Sequence, residues 1–358
     1  MQGVPWYTDC TKLPGLCSDY NHSDLSFAPI GDRRLLATFR SHEDEEQTDG
    51  PGWRECLILS VSPDKTITSH TVNGPHSLNN AEDIRLIRLS DYVAALGQRY
   101  DRVTETWSMG MALFSIATET WEHVPMCVCC GPSARYRYVT FALGETLVVC
   151  GGDLRSTNTT GNDTWEWSLE TRKWTRTEDA PLTGVSTSDE GTVVEDTFRM
   201  YFGKLFHMEY CDGKWKWEIH QWNHFDDDTH GGGYYSRVGV PLLRNMELTI
   251  TKLGTDDHPD DPPPKCWVRD YVSQDLVPLE PLPLTPEDMD DHQIMTVVML
   301  DATTLLVSEP DFTLLVDIDP HLLGPECHTS MVGTGFWEET EEEEEEDWES
   351  SYEESESD

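Results

Sequence analysis

Basic residues are scarce in this chain. Lys and Arg together number 25 against 67 Asp and Glu, a formal net charge of −42 over 358 residues. A nucleic-acid binder needs a basic face for phosphates, and none is visible. An anionic membrane surface would repel the chain for the same reason. Long apolar runs are missing too: no stretch approaches the roughly 18 residues of a membrane span. The opening MQGVPWYTDCTKLPG has neither the basic region nor the apolar core of a signal peptide. The expected compartment is therefore the cytoplasm or nucleus, where the ten Cys remain free thiols. Sequons at Asn21, Asn158 and Asn162 carry little meaning without a secretory route.

Catalytic signatures are absent as well. There is no G-x-S-x-G, Walker loop, G-x-G-x-x-G or H-E-x-x-H. Cys127 and Cys130 form a C-x-x-C, but no second such pair exists to complete a zinc site. His220, in the alternating run WKWEIHQW, and His224 are four residues apart, and the alternation favours a strand. On a strand, residues i and i+4 sit roughly 13 Å apart, too far to chelate one ion. No catalytic residue, metal or cofactor is expected, and the chain is not expected to be an enzyme.

The acidic excess is partly local. Residues 338–358 hold 14 acids and no base; the preceding 337 residues keep 53 acids against all 25 bases, net −28. The segment 338–358 has too little apolar surface to fold alone and reads as a disordered acidic tail. Ser350, Ser351 and Ser355 each have an acid three places on, which makes them candidate phosphorylation sites. The body is acidic in its own right, so the fitting partner is a protein, with a basic one in view.

Helical periodicity is also missing. The 13 Trp, 12 Tyr and 10 Phe fall in short β-branched and aromatic runs bounded by Gly, Pro, Asp or Asn, which predicts many strands. These runs recur. RRLLATF lies at 33–39, YVAALGQ at 92–98, LVVCGG at 147–152 and RMYFGK at 199–204. ELTITKLG at 247–254 and TTLLVSE at 303–309 complete the series. A spacing of roughly 50 residues or more is that of four-stranded propeller blades. Each run follows another short strand and precedes two more joined by a polar turn: SPDKT, ATET, LETRK, CDGK, VSQD and DIDP. The sixth unit is one strand short. The segment VPWYTDCTKLP near the start has the Trp and Leu-Pro of a unit's end, so the first strand is predicted to close the ring, with Trp6 packed in the sixth unit.

The stretch YVTFALGETLVVCGGD…TWEWSLETRKWTRTEDAPL resembles a kelch repeat: an apolar strand ending in Gly-Gly, a strand with an aromatic, a turn, then Trp followed by Pro. The second unit has Leu96-Gly97-Gln98 in place of the double Gly. The resemblance covers roughly 320 residues by rhythm and about 100 by motif. It implies one all-β kelch-like propeller over 1–337, of six blades with seven left open, followed by the tail.

Gly151 and Gly152 are then expected to admit a neighbouring backbone. Trp121, Trp165 and Trp174 are expected to cover gaps between blades. Kelch loops on one face often carry binding, which makes Arg155 and Asn158 in DLRSTNTTGN candidate partner contacts. The acidic loops SHEDEEQTDGPG at 41–52 and DDHPDDPPPK at 256–265 belong to the same set.

The function these features imply is a monomeric, non-enzymatic protein-interaction scaffold. Kelch propellers often serve as substrate receptors in ubiquitin ligation, with an F-box or BTB domain upstream. About 20 residues precede the first full strand here, too few for either domain. A small-molecule or glycan-binding propeller of the oxidase or lectin class, and an acidic-tail binder of basic proteins, are the alternatives.

Overall fold

The computed structural model describes residues 5–14, 20–41, 54–78, 81–101, 103–126, 130–181, 191–194, 196–202, 206–219, 234–242, 246–254, 265–270, 276–283, 296–308 and 312–319. They form an all-β structure without an α-helix. The first strand, β1, spans Tyr7–Pro14. Sheet I follows with β2 (Tyr20–Gly31), β3 (Arg34–Ser41), β4 (Arg54–Val61) and β5 (Ile67–Val72). Sheet II holds β6 (Ala81–Leu89), β7 (Tyr92–Asp101), β8 (Thr106–Ser115) and β9 (Thr120–Val124).

The next segment interleaves two sheets. Strand β10 (Arg135–Tyr136) comes first, then β11 (Val139–Leu143) and β12 (Thr146–Cys150). A small hairpin follows, β13 (Asp153–Leu154) and β14 (Thr159–Thr160), then β15 (Thr164–Ser168) and β16 (Lys173–Arg176). Sheet III is β11-β12-β15-β16, and β10-β13-β14 is a three-stranded annex. Sheet IV is β17 (Gly191–Val194), β18 (Thr197–Phe202), β19 (Phe206–Cys211) and β20 (Lys214–Ile219). Sheet V is β21 (Tyr234–Pro241), β22 (Met246–Gly254), β23 (Lys265–Asp270) and β24 (Leu276–Leu279). Sheet VI takes β25 (Thr296–Met299), β26 (Thr304–Ser308) and β27 (Phe312–Ile318) from the end of the described chain, and β1 from its beginning.

Each recurring apolar run is the second strand of its sheet. The reason is visible in LVVC. Leu147 and Val149 pack toward sheet II, while Val148 and Cys150 pack toward sheet IV. A strand buried on both faces reads as an unbroken apolar run rather than an alternation. Four of the expected polar turns lie between the third and fourth strands of sheets I to IV, at 62–66, 116–119, 169–172 and 212–213. Asp64 caps the first, its Oδ1 accepting the Thr66 N–H at 3.2 Å, and Lys65, Glu119, Arg172 and Asp212 all take positive φ.

The sixth sheet is completed as its missing strand requires. β1 runs antiparallel to β27, with Cys10 opposite Val316 and Lys12 opposite Leu314. Trp6 is 1% exposed. It sits between sheets V and VI, among Leu248, Ile250, Leu279, Leu305 and Val316, and its indole N–H donates to the Glu280 carbonyl at 2.5 Å.

The core is divided among the junctions between sheets. Separate apolar clusters join VI to I, I to II, II to III, III to IV and V to VI. At the III–IV junction Phe141 stacks on Phe198 at 3.7 Å between centroids. The first strands also meet in succession: β2 with β6, β6 with β11, β11 with β17, β17 with β21, β21 with β25, and β25 with β2.

Candidate interaction surface

The β7–β8 hairpin reaches beyond its own sheet. β7 and β8 pair over ten residues, from Tyr92–Ser115 out to Asp101–Thr106. β9 pairs β8 only from Met111 to Ser115. Residues 98–101 and 103–109 therefore extend past the last β8–β9 pair. At the tip the Asp101 carboxylate accepts the N–H groups of Val103 and Thr104 at 2.8 and 3.3 Å. These bonds favour the charged form and hold the Asp101 pKa below its ordinary value. Glu105 takes φ 52° between Thr104 and Thr106, whose hydroxyls lie 2.8 Å apart. The tetrapeptide Thr-Glu-Thr-Trp recurs at 118–121, where Glu119 has φ 53° and the two hydroxyls again lie 2.8 Å apart. The same four residues thus build both turns that flank β8.

Tyr100 and Val103 on this hairpin are 43% and 93% exposed, the large apolar side chains left uncovered among the described residues. Tyr100 packs on Trp107 with ring centroids 5.1 Å apart. Arg155 lies over Trp107 at 4.3 Å and over the Tyr136 ring at 4.8 Å. The result is a continuous stack, Tyr100–Trp107–Arg155–Tyr136, running from sheet II onto the annex of sheet III. Cation–π contacts of this kind contribute on the order of 1 kcal/mol each at exposed sites.

Arg155 is tied on both sides. Its Nε donates to Gln98 Oε1 at 2.9 Å and Nη2 to Glu82 Oε2 at 3.0 Å. Its backbone N–H donates to the Ala134 carbonyl at 3.0 Å. The expected contact residue Arg155 is thus first a bridge between sheets II and III. Asn158 occupies the β13–β14 turn with φ 52°, exposed, its Oδ1 at 3.4 Å from the Tyr136 hydroxyl. The structure therefore brings both expected contact residues to the stack.

Next to Tyr136 in β10, Arg135 forms an ion pair that sequence reasoning missed. Arg135 is fully buried. Its guanidinium donates to both oxygens of Asp163 at 2.8 Å, to the Gly151 carbonyl at 2.8 Å and to the Ser133 carbonyl at 3.0 Å. Trp165 Nε1 adds a bond to Asp163 at 2.6 Å. Burial alone would raise the Asp163 pKa, but Arg135 outweighs it and the net value falls below the ordinary one. The pair anchors the loop 151–163 to the sheet.

The double glycine serves this packing. Gly151 and Gly152 have φ 66° and 82°. A Cβ on Gly152 would stand 2.8 Å from the Tyr136 carbonyl oxygen. The annex can pair only because that side chain is absent. Trp121 packs on Phe114 at 5.1 Å. Trp174 joins the II–III cluster and donates to Met126 Sδ at 3.0 Å. Trp165 is half-buried at Asp163, whereas its neighbour Trp167 fills the II–III junction completely.

Burial pushes the Cys150 and Cys266 thiols up to about 12. That keeps them protonated and poor as nucleophiles or ligands. Among the described residues no group of three or more His, Cys, Asp or Glu could hold a metal. None of their helices is long and apolar enough to cross a membrane. Cys127, His220, His224, the acidic loop residues 42–52 and 256–264, and Ser350, Ser351 and Ser355 lie outside the described residues. No family model matches the chain, and no curated protein does either.

Proposed function

We propose that this chain is a kelch-like six-bladed β-propeller acting as a non-enzymatic protein-interaction scaffold. Support for the propeller comes from the order of contacts. Six four-stranded sheets follow one another, their first strands touch in sequence and return from β25 to β2, and the apolar clusters sit between sheets. A second support is the shared sixth sheet, since pairing the first strand with the last locks a ring against opening.

The observation that carries the scaffold reading is the stack Tyr100–Trp107–Arg155–Tyr136. Tyr, Trp and Arg dominate binding energy at protein interfaces. Here they are already ordered by contacts within the chain, which lowers the entropy lost on docking.

Affinity capture with the full-length chain tests the reading. One partner should be retained at a fixed stoichiometry and lost when Tyr136→Ala and Asn158→Arg are introduced together. Failure to retain any partner in fixed stoichiometry would count against a scaffold.

A further inference from the structure

The β4–β5 turn, Ser62-Pro63-Asp64-Lys65, carries a second pattern beside its turn chemistry. Pro follows a Ser or Thr at two places in the chain, 62–63 and 285–286. Only Ser62 has a base three places on; Thr285 has Asp288 there. Pro lacks an N–H and holds its φ fixed. Ser-Pro is therefore read by a separate, proline-directed class of Ser/Thr kinases, which favour a base at that third place.

The turn offers its hydroxyl. Pro63 and Asp64 are exposed and Ser62 is half-buried. The Ser62 hydroxyl donates within the turn, to Asp64 Oδ1 and to the Thr66 carbonyl at 2.9 Å. Two backbone bonds close the turn, Lys65 N–H to the Ser62 carbonyl and Ser62 N–H to the Thr66 carbonyl, each 2.9 Å. It leads into β5, the outer strand of sheet I, whose residues 68–71 are exposed. A kinase takes its substrate extended, and the end of such a strand opens at low cost. Opening also frees Lys65 from φ 65°.

What the turn holds makes that hydroxyl consequential. Asp64 accepts the Ser62 O–H, and the Thr66 N–H at 3.2 Å. These bonds keep its pKa below the ordinary value, so it is ionised near neutral pH. Lys65, the next residue, holds Asp9 of β1 at 2.6 Å and Asp317 of β27 at 3.0 Å. The neighbouring cation, Arg33, is engaged by the Val61 carbonyl at 3.1 Å and by Asp301 at 2.6 Å.

We infer that Ser62 is a phosphorylation site for a proline-directed kinase, and that its phosphate unfastens the turn that ties sheet I to β1 and β27. The group transferred is the γ-phosphoryl of a nucleoside triphosphate. The bond from Ser62 Oγ to phosphorus forms, the bond from phosphorus to the β–γ bridging oxygen breaks, the nucleoside diphosphate leaves, and the hydroxyl proton passes to the kinase's base. The product has no hydroxyl hydrogen left for Asp64 or Thr66. It sets about two negative charges beside an ionised carboxylate. Asp64 is pushed away, and the turn that aims Lys65 is lost with it. The phosphate also competes with Asp9 and Asp317 for the Lys65 ammonium.

The test incubates the full-length chain with a cyclin-dependent kinase, its cyclin and ATP, and maps phosphate by mass spectrometry. Ser62 should carry it, and Ser62→Ala should remove that signal. The thermal midpoint of the phosphorylated chain should fall by about 2 °C or more. Ser62→Ala, which loses only bonds within an exposed turn, should stay within about 1 °C of the wild type. Ser62→Glu should reproduce most of the fall, and should add little in a Lys65→Met background, where the tie is already cut. A folded chain left unmodified at Ser62, whether or not a peptide of residues 56–70 is phosphorylated, would overturn the inference. Phosphate on Ser62 with an unchanged or raised midpoint would overturn the release, as would full additivity of Ser62→Glu and Lys65→Met. Partner capture reads a different surface, so the scaffold reading stands or falls separately.

Discussion

At Gly152 the backbone takes φ 82°, and the missing Cβ leaves room for the Tyr136 carbonyl. Gly152→Ala meets both obstacles. It should destabilise the chain by more than about 1 kcal/mol, read as a lower urea midpoint. The Arg135–Asp163 pair sets a larger stake. Asp163→Asn leaves a buried guanidinium without its charge partner, a loss of about 3 kcal/mol near neutral pH. The pKa of Asp163 is depressed in the folded chain. Its contribution is therefore fully present above its unfolded pKa of about 4 and disappears as pH falls through the lower folded value. Urea midpoints of wild type and Asp163→Asn should converge as the pH drops below about 4.

These residue-level features divide into those the sequence makes readable and those it hides. Gly151-Gly152 and Trp174 stand in a local pattern, and the structure gives them turn and junction roles. Arg135 and Asp163 are 28 residues apart, and Arg155 and Glu82 are 73 apart. No periodicity connects such partners, because their meeting depends on which strands become neighbours. One signal was present and passed over: the duplicated Thr-Glu-Thr-Trp at 104–107 and 118–121 marks the two ends of β8.

Strands tell a similar story at the scale of elements. The six apolar runs are readable because second strands are buried on both faces. The reach of the β7–β8 hairpin past β9 is not, since residues 98–109 resemble any other polar-flanked strand pair. The join between sheets I and VI depends on charges from separate elements. Lys65, in the β4–β5 turn, reaches Asp9 of β1 at 2.6 Å, Thr11 of β1 at 3.0 Å and Asp317 of β27 at 3.0 Å. Arg33 reaches Asp301 at 2.6 Å and Thr304 at 2.9 Å. One lysine thus ties sheet I to both β1 and β27. Lys65→Met should lower the thermal midpoint modestly, and the loss should shrink at high salt as the exposed pair is screened. An equal loss at low and high salt would assign the effect to packing.

For the whole molecule, the distribution of the core matters more than its size. Among the described residues, apolar clusters at the junctions VI–I, I–II, II–III, III–IV and V–VI tie every sheet to at least one neighbour. The first and last sheets depend on each other through β1. Acidic charge spread over the body opposes compaction, so the contacts between sheets must work against repulsion as well as chain entropy. The account's central claim is that the six sheets form a ring closed by the first strand. The most direct measurement is the thermal midpoint of the chain with residues 1–14 removed. That deletion takes away the β1–β27 pairing and the buried Trp6. Loss of a buried Trp alone is worth about 3–5 kcal/mol, so in a chain of this length the midpoint should fall by about 5 °C or more. An unchanged midpoint would contradict the closed ring.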